Sequence, residues 1–113
     1  MVKRGQIWWG ELRSPTGSEP GYTRPVLILQ ADRYNRTALG TIIVVALTSN
    51  LHLATMPGNV LLRRRETGMQ KDSVANVSQI TTVDRDGLIE KIGTVSPELM
   101  RSVAEGVRLL LDL

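Results

Sequence analysis

The chain of 113 residues has no cysteine, no phenylalanine and one histidine. The lack of cysteine excludes disulfides, thiolate nucleophiles and cysteine-bearing metal sites. The single histidine, His52, largely excludes the common catalytic triads and multi-histidine metal sites, and a surface or partly buried position is its simplest role. With only two Trp and two Tyr as aromatic residues, the core must be aliphatic.

Long apolar runs are also missing. No segment approaches the roughly 20 apolar residues of a membrane span, and the basic start is followed by too short an apolar patch for a signal peptide. We therefore expect no membrane association, a cytoplasmic location and an unprocessed chain. The length, with 42% hydrophobic and 22% charged residues, predicts one globular domain over residues 1–113.

Charge is distributed unevenly along the sequence. Residues 1–71 carry ten Lys and Arg against four acids, whereas residues 72–113 carry four against seven. A basic first part favours an anionic partner, and nucleic acid is the commonest one for a small domain. A basic face exposed only to water is the alternative. The three arginines at 63–65 also have two interpretations: they form a plain exposed turn, or they contact phosphates.

Short strands followed by one helix make up the predicted secondary structure. β-Branched and apolar runs between turn signals predict strands at 6–12, 25–30, 41–47, 59–62, 73–77, 80–83 and 88–92. The strand at 25–30 should be central and should begin at Pro25, which has no N–H to donate. Residues 63–72 are predicted to form an exposed turn region. This pattern predicts an α+β fold with a small, strongly bent sheet or barrel.

Near the end of the chain, the spacing of the apolar residues changes to that of a helix. Ser96 is a suitable N-cap and Pro97 suits the first helical position. Gly106 within the helix costs on the order of 1 kcal/mol unless a neighbour packs closely against it. The residues that fall on one apolar face are Leu99, Val103, Val107, Leu110 and Leu111.

Two polar residues adjoin the ends of predicted strands. Arg24 precedes a proline and is therefore biased towards extended backbone, which places a guanidinium suited to phosphate at the start of a central strand. Thr48 is the first polar residue after the run "IIVVAL". If the two strands are neighbours, both side chains would donate to one anionic site. The plainer alternatives are an ion pair between Arg24 and Glu19, and Thr48 as a strand-end cap.

The remaining candidates have structural explanations. Trp8 and Trp9 are adjacent, so one should enter the core while the other is exposed, covered by a partner subunit or used to stack a base. Asp84 and Asp86 are the only close acidic pair, and a turn explains them better than a metal site does. No metal or other cofactor is predicted.

The order of the motifs resembles the MazF/PemK (Kid) toxin family over nearly the whole chain. The segments that carry the resemblance are "KRGQIWWGEL", "SPTGSEPGYTRPVLIL", a strand ending in "ALTS", "TGMQKDSVANVSQI" and the terminal helix. It implies an SH3-like barrel with a C-terminal helix, a homodimer, and a metal-independent endoribonuclease that cuts single-stranded RNA at preferred sequences. It also implies a cognate antitoxin that covers the RNA site with an extended acidic segment.

The resemblance also implies roles for particular residues. Arg24 and Thr48 take the catalytic positions, while Ser18, Glu19 and Gln79 take positions that shape the substrate site. Attack by a ribose 2′-hydroxyl on the adjacent phosphorus would place negative charge where Arg24 and Thr48 can donate. The Arg24 charge favours the ionised form of Glu19 and makes it a weak base, so we expect Glu19 to orient Arg24 or to contact an RNA base.

Three positions depart from the family pattern. Gln6 stands where Asp is usual and Ala46 where Pro is common, changes that concern packing or turn shape. Ser78 replaces an acid near the expected site, so no role of that acid transfers to this chain. Two other functions stay open from the sequence: a nucleic-acid-binding barrel without catalysis, and a toxin that acts on a protein such as topoisomerase.

Overall fold

A six-stranded antiparallel sheet and a C-terminal helix form the fold in a computed structural model, which describes residues 1–13 and 22–113. The α+β prediction is confirmed. The sheet is strongly curled and has the strand order β4-β5-β3-β2-β1-β6. Its strands are β1 (Gln6–Arg13), β2 (Tyr22–Ile28), β3 (Thr41–Thr48), β4 (Val60–Leu62), β5 (Ser73–Asp84) and β6 (Leu88–Thr94). The helices are α1 (Asp32–Asn35), α2 (Arg64–Thr67) and α3 (Pro97–Leu111), with 3-10 turns at Leu51–Thr55 and Arg85–Gly87.

Alternate residues of the central strands enter two separate apolar clusters, one on each face of the sheet. In β2, for example, Leu27 joins the first cluster while Val26 and Ile28 join the second. Burial on both faces explains why β2 and β3 are near-continuous apolar runs rather than alternating ones. The first cluster holds Ile7, Leu27, Val45, Leu47, Leu62, Ala75, Val77, Val95, Met100, Val103 and Val107. The second holds Val2, Val26, Ile28, Ile42, Val44, Val83 and Leu88.

Strand β2 begins earlier than predicted. Pro25 is its fourth residue and pairs with Trp9 of β1, so the prediction that Pro25 starts the strand is wrong. The physical reason lies on the other side of β2, where pairing with β3 starts only at Val26. Pro25 has no N–H to donate, but this costs no hydrogen bond to β3 because the pairing with β3 begins one residue later. The prediction that this strand is central is confirmed, since β2 lies between β1 and β3.

A single bent strand, β5, replaces the two strands predicted at 73–77 and 80–83. Val45 of β3 pairs with Ile80, but Leu47 pairs with Ala75, so β5 has extra residues at this point of the ladder. Such a bulge bends a strand and interrupts its pairing. It leaves Ser78 and Gln79 exposed on the outer side of the sheet. A second correction concerns residues 63–72, which include the short helix α2 rather than only a turn.

Helix α3 begins as predicted. The Ser96 hydroxyl oxygen accepts a hydrogen bond from the Leu99 N–H at 3.2 Å, and Pro97 is the first helical residue. Its first turns pack on the first cluster through Met100, Val103 and Val107. The predicted apolar face is wrong at its end, because Leu110 and Leu111 remain 47% and 52% exposed. These leucines form an exposed apolar end to α3.

Gly106 is the point of closest approach between α3 and the loop before β4. A Cβ atom built there would lie 2.8 Å from the carbonyl carbon of Gly58 and still closer to its carbonyl oxygen. Gly58 itself has φ of +88°, a conformation that favours glycine. The two glycines therefore fix how closely the helix packs on the loop.

A polar network joins the N-terminus to the segment between β2 and β3. The carboxylate of Asp32 accepts hydrogen bonds from the Arg4 N–H at 2.8 Å and from the Asn35 side-chain amide at 3.1 Å. Asn35 is buried and also bonds Gln30, whose side-chain carbonyl accepts from the Ile43 N–H at 3.2 Å. These bonds satisfy polar groups that would be costly to bury unpaired.

Acidification should remove the contribution of Asp32 to stability. The backbone N–H of Arg4, and after it the Asn35 amide, hold the pKa of Asp32 below its ordinary value of 3.8. A carboxyl with a lowered folded-state pKa stabilises the fold above its unfolded pKa, and this stabilisation is lost as the pH falls through the folded pKa. Urea unfolding should show Asp32→Ala less stable than the natural chain at pH 7, with a smaller gap at pH 3. An equal gap at both pH values would contradict this role, and Asp32→Asn, which keeps one acceptor oxygen, should be intermediate at pH 7.

Candidate active site

Arg24 and Thr48 lie at the same end of the sheet on neighbouring strands. The last pair of β2 and β3 at this end is Val26 with Ala46, and Arg24 and Thr48 each lie two residues beyond it. A shared site requires that the two strands be neighbours and that both side chains lie at one end of the sheet. Both conditions are met. Both residues are half-buried, and both line one cleft.

This main cleft has a volume of about 780 Å³ and opens between the start of β2, the end of β3, the segment after α2 and strand β6. Its lining combines an aromatic ring, hydroxyls and two lysines, with one carboxylate. Such a surface suits a ligand that has both anionic and planar apolar parts. The lining residues are Trp9, Thr23, Arg24, Pro25, Leu47, Thr48, Ser49, Gly68, Met69, Gln70, Lys71, Ser73, Glu90, Lys91 and Ile92.

The guanidinium of Arg24 is held by two neighbours. One terminal nitrogen donates to the side-chain carbonyl of Gln79 at 3.1 Å, and the central carbon lies 4.9 Å from the ring centre of Tyr22. A guanidinium has five N–H donors in a plane, so the bond to Gln79 leaves donors for a phosphate. Its orientation is therefore fixed before a substrate arrives.

The hydroxyl of Thr48 is oriented by the turn that follows β3. Its oxygen accepts the Asn50 N–H at 3.1 Å, and the Asn50 side chain in turn accepts the His52 N–H at 3.2 Å. Because the backbone donates to this oxygen, the proton of Thr48 remains available for another acceptor. Thr48 is thus a strand-end cap whose hydroxyl proton is not used by that bond. His52 is exposed, as its sequence context suggests.

Of the five predicted site residues, Thr48 lines the main cleft together with Arg24, and Gln79 bonds Arg24 but does not line that cleft. Ser18 and Glu19 lie outside the described residues, and so does the possible ion pair between Arg24 and Glu19.

Within residues 1–13 and 22–113, no group of three or more His, Asp or Glu side chains converges in a way that would hold a metal ion. In the same part of the chain, no helix is long and apolar enough to cross a membrane.

Comparison with known proteins identifies the family. Residues 3–111 match the family described as PemK-like, MazF-like toxin of type II toxin-antitoxin system. The chain belongs to the MazF/PemK toxin family. It is 43% identical over 113 residues to the endoribonuclease MazF6 of Mycobacterium tuberculosis, covering 100% of this chain and 99% of that protein. It is 37% identical to the endoribonuclease EndoA of Bacillus subtilis, covering 100% and 97%.

Solved structures share the MazF fold. A mycobacterial endoribonuclease in complex with its cognate antitoxin superposes with a TM-score of 0.80 at 24% identity, covering 100% of this chain and 97% of that one. MazF from Deinococcus radiodurans superposes with a TM-score of 0.78 at 21% identity, covering 99% and 97%. The implied fold, an SH3-like barrel with a C-terminal helix, is confirmed as a curled six-stranded half-barrel with a C-terminal helix.

Two departures from the MazF pattern have local explanations. The side-chain carbonyl of Gln6 accepts the Lys3 N–H at 2.9 Å and the Trp8 indole N–H at 3.0 Å, so a neutral residue stabilises the turn into β1. Ser78 donates its hydroxyl proton to the Asn76 side-chain carbonyl at 2.9 Å. The serine is thus occupied within the bulge of β5 and supplies no charge next to Gln79.

The adjacent tryptophans of this MazF-family chain have different surroundings. Trp8 is half-buried and packs on the second cluster, whereas Trp9 is 38% exposed and lines the main cleft. Trp9 is thus the more exposed of the two tryptophans, and its ring lies on the wall of the main cleft. Sequence reasoning missed Tyr22, although its position two residues before Arg24 on one strand places both on the same face. It also missed Lys71 and Lys91, which no local pattern relates to Arg24.

Proposed function

We propose that this chain is the toxin of a type II toxin–antitoxin pair and that it cuts single-stranded RNA without a metal ion. Membership of a family whose relatives are endoribonucleases supports the activity. The observation that carries the assignment of residues is that Arg24 and Thr48, at one end of neighbouring strands, line the same cleft.

The proposed reaction is an internal transfer at phosphorus. The ribose 2′-oxygen forms a bond to the adjacent phosphorus, the bond from phosphorus to the 5′-oxygen breaks, and the products end in a 2′,3′-cyclic phosphate and a 5′-hydroxyl. Negative charge grows on the non-bridging oxygens in the transition state, where the Arg24 guanidinium and the Thr48 hydroxyl donate hydrogen bonds. The 2′-proton passes to an acceptor, and the departing 5′-oxygen takes a proton from water.

The remaining lining suits a strand of RNA. Lys71 and Lys91 are exposed cations on the wall of the main cleft, where they would neutralise phosphates next to the cut one. Trp9 offers an exposed aromatic surface on which an unpaired base can stack. Because stacking needs a base free of its partner, this surface favours single-stranded over duplex RNA.

Two protein partners belong to the same proposal. An extended acidic segment of a cognate antitoxin would occupy the main cleft by binding the lysines of the cleft and Arg24. A relative of the same fold has been solved with its cognate antitoxin. A second copy of the chain would cover apolar surface that the single copy leaves open at the end of α3, including Leu110 and Leu111. The alternative function, in which α3 binds a protein target, is disfavoured because Val103 and Val107 are buried in the first cluster.

The proposed function predicts cleavage in the presence of excess EDTA. Purified protein is incubated with a pool of unstructured RNA, the 5′ ends produced are sequenced, and the 3′ ends are tested for cyclic phosphate. We expect cuts at a restricted set of sequences, with cyclic ends and an unchanged rate in EDTA, because Arg24 supplies the positive charge at the phosphate. Loss of activity that magnesium restores, or 3′-hydroxyl ends, would contradict the mechanism.

A further inference from the structure

A second cleft lies on the other side of Arg24 from the main one. Its volume is about 320 Å³, near the lower limit of ordinary small-molecule sites. Arg24 lines both clefts, so a ligand in the second one would lie next to a phosphate held by the guanidinium. The residues lining the second cleft are Leu12, Tyr22, Arg24, Ala46, Gln79 and Thr81.

The second cleft has apolar, aromatic and polar walls. Leu12 and Ala46 supply apolar surface, and Ala46 is the position where the family commonly has Pro. Tyr22 is 39% exposed, and its ring is close to Arg24, with the guanidinium carbon 4.9 Å from the ring centre. The guanidinium covers one face of the ring, and the exposed remainder of the ring is available to a planar ligand.

The polar wall has a defined hydrogen-bonding character. A guanidinium only donates, so the Gln79 atom 3.1 Å from Arg24 must be its carbonyl oxygen. Among the described residues, the amide nitrogen of Gln79 makes no hydrogen bond, so its two N–H donors can serve a ligand. Thr81 is half-buried on the same wall, and its hydroxyl can donate or accept.

We propose that the second cleft binds one nucleobase of the RNA, that of a nucleotide next to the cut phosphate. The base stacks on the open surface of Tyr22, and its edge bonds the Gln79 amide nitrogen and the Thr81 hydroxyl. Because the Gln79 amide nitrogen only donates, the base is bound through an acceptor on its edge, either a carbonyl oxygen or a ring nitrogen. The proposal rests on the proposed function and names Tyr22 and Thr81 as determinants of sequence preference.

Binding of uncleavable strands tests the subsite separately from catalysis. Ten-residue deoxythymidine and deoxyadenosine strands lack the 2′-hydroxyl, so their affinities report recognition alone. Tyr22→Ala should weaken deoxythymidine binding about 5- to 150-fold, the range expected for loss of one stacked base. Tyr22→Phe, which keeps the ring, should bind nearly as the natural chain does. Thr81→Val should change the ratio of the affinities for the deoxythymidine and deoxyadenosine strands more than it lowers overall affinity.

The chain contains a matched control. Tyr34 is also exposed and also lies beside an arginine, with the Arg33 guanidinium carbon 5.5 Å from its ring centre, yet it lines neither cleft. Tyr34→Ala should leave both affinities unchanged. Unchanged affinities in Tyr22→Ala, with its fold verified by circular dichroism, would overturn the subsite.

Sequencing of cut ends separates failure of the subsite from failure of the proposed function. With the natural chain, the RNA pool should show a base preference at one position beside the cut, and Tyr22→Ala should flatten it while the other positions keep theirs. Identical profiles for the two proteins would reject the subsite and leave the ribonuclease intact. If the natural chain cuts no RNA but still distinguishes the two deoxy strands through Tyr22, the ribonuclease assignment fails and the base site stands.

Discussion

Arg24→Ala is expected to slow RNA cleavage by about 10³-fold or more while the protein remains folded. The guanidinium is a charged group aimed at the point where the transition state gains negative charge, and loss of one such donor costs about 10²- to 10³-fold even when it is neutral. The side chain is only half-buried at the start of β2, so its removal opens no core cavity. Single-turnover cleavage of a labelled RNA measures the effect.

Matched variants separate this effect from a general loss of positive charge. Arg33→Ala removes an arginine that also lies beside a tyrosine but is not part of the main cleft, and it should cut at nearly the natural rate. Arg24→Lys keeps a charge but loses the planar set of donors, so it should remain well below the natural rate. Thr48→Val should show an intermediate loss. Equal activity of the Arg24→Ala and Arg33→Ala variants would remove Arg24 from the catalytic site.

Gly106→Ala is expected to destabilise the fold by about 3 kcal/mol or more, although alanine is the better helix former. The new methyl group would overlap the backbone of Gly58, and backbone cannot move aside as a flexible side chain can. Either α3 lifts from the first cluster or the loop before β4 shifts, and both expose apolar surface. Urea unfolding at pH 7 gives the change in the free energy of unfolding.

Gly40→Ala provides the control for a change from glycine to alanine. A Cβ atom at Gly40 meets nothing within 4 Å, and the residue has no positive φ. This variant should be neutral or more stable by up to about 1 kcal/mol, because alanine restricts the unfolded chain. If Gly106→Ala were equally well tolerated, the close packing of α3 on Gly58 would be wrong.

The sequence predicted the fold wherever local chemistry decides the outcome. The Ser96 cap and the β-branched run of β3 need no distant contact to be recognised, and both are confirmed. The errors concern long-range partners. Pro25 lies inside β2 because of which neighbour pairs at that residue. Leu110 is exposed although it falls on the apolar face of α3, because burial depends on what packs against the helix and not on its period.

The candidate site was predictable in part for the same reason. Arg24 and Thr48 adjoin the ends of recognisable strands, so their meeting depends only on those strands being neighbours. The contact of Arg24 with Gln79 spans 55 positions and depends on the bulge in β5, which a sequence pattern does not reveal. Tyr22 was the recoverable omission, since it precedes Arg24 by two residues on the same strand face.

The central claim is that Arg24 acts on the transition state of RNA cleavage rather than on binding. It is tested most directly by comparing the natural chain with Arg24→Ala in EDTA, using one RNA and its uncleavable counterpart with a 2′-deoxy sugar at the cut position. We predict that the affinity for the uncleavable strand changes less than about tenfold, while the single-turnover rate on the RNA falls about 10³-fold or more. A variant that loses affinity by the same factor as rate, or that still cuts at the natural rate, would contradict the claim.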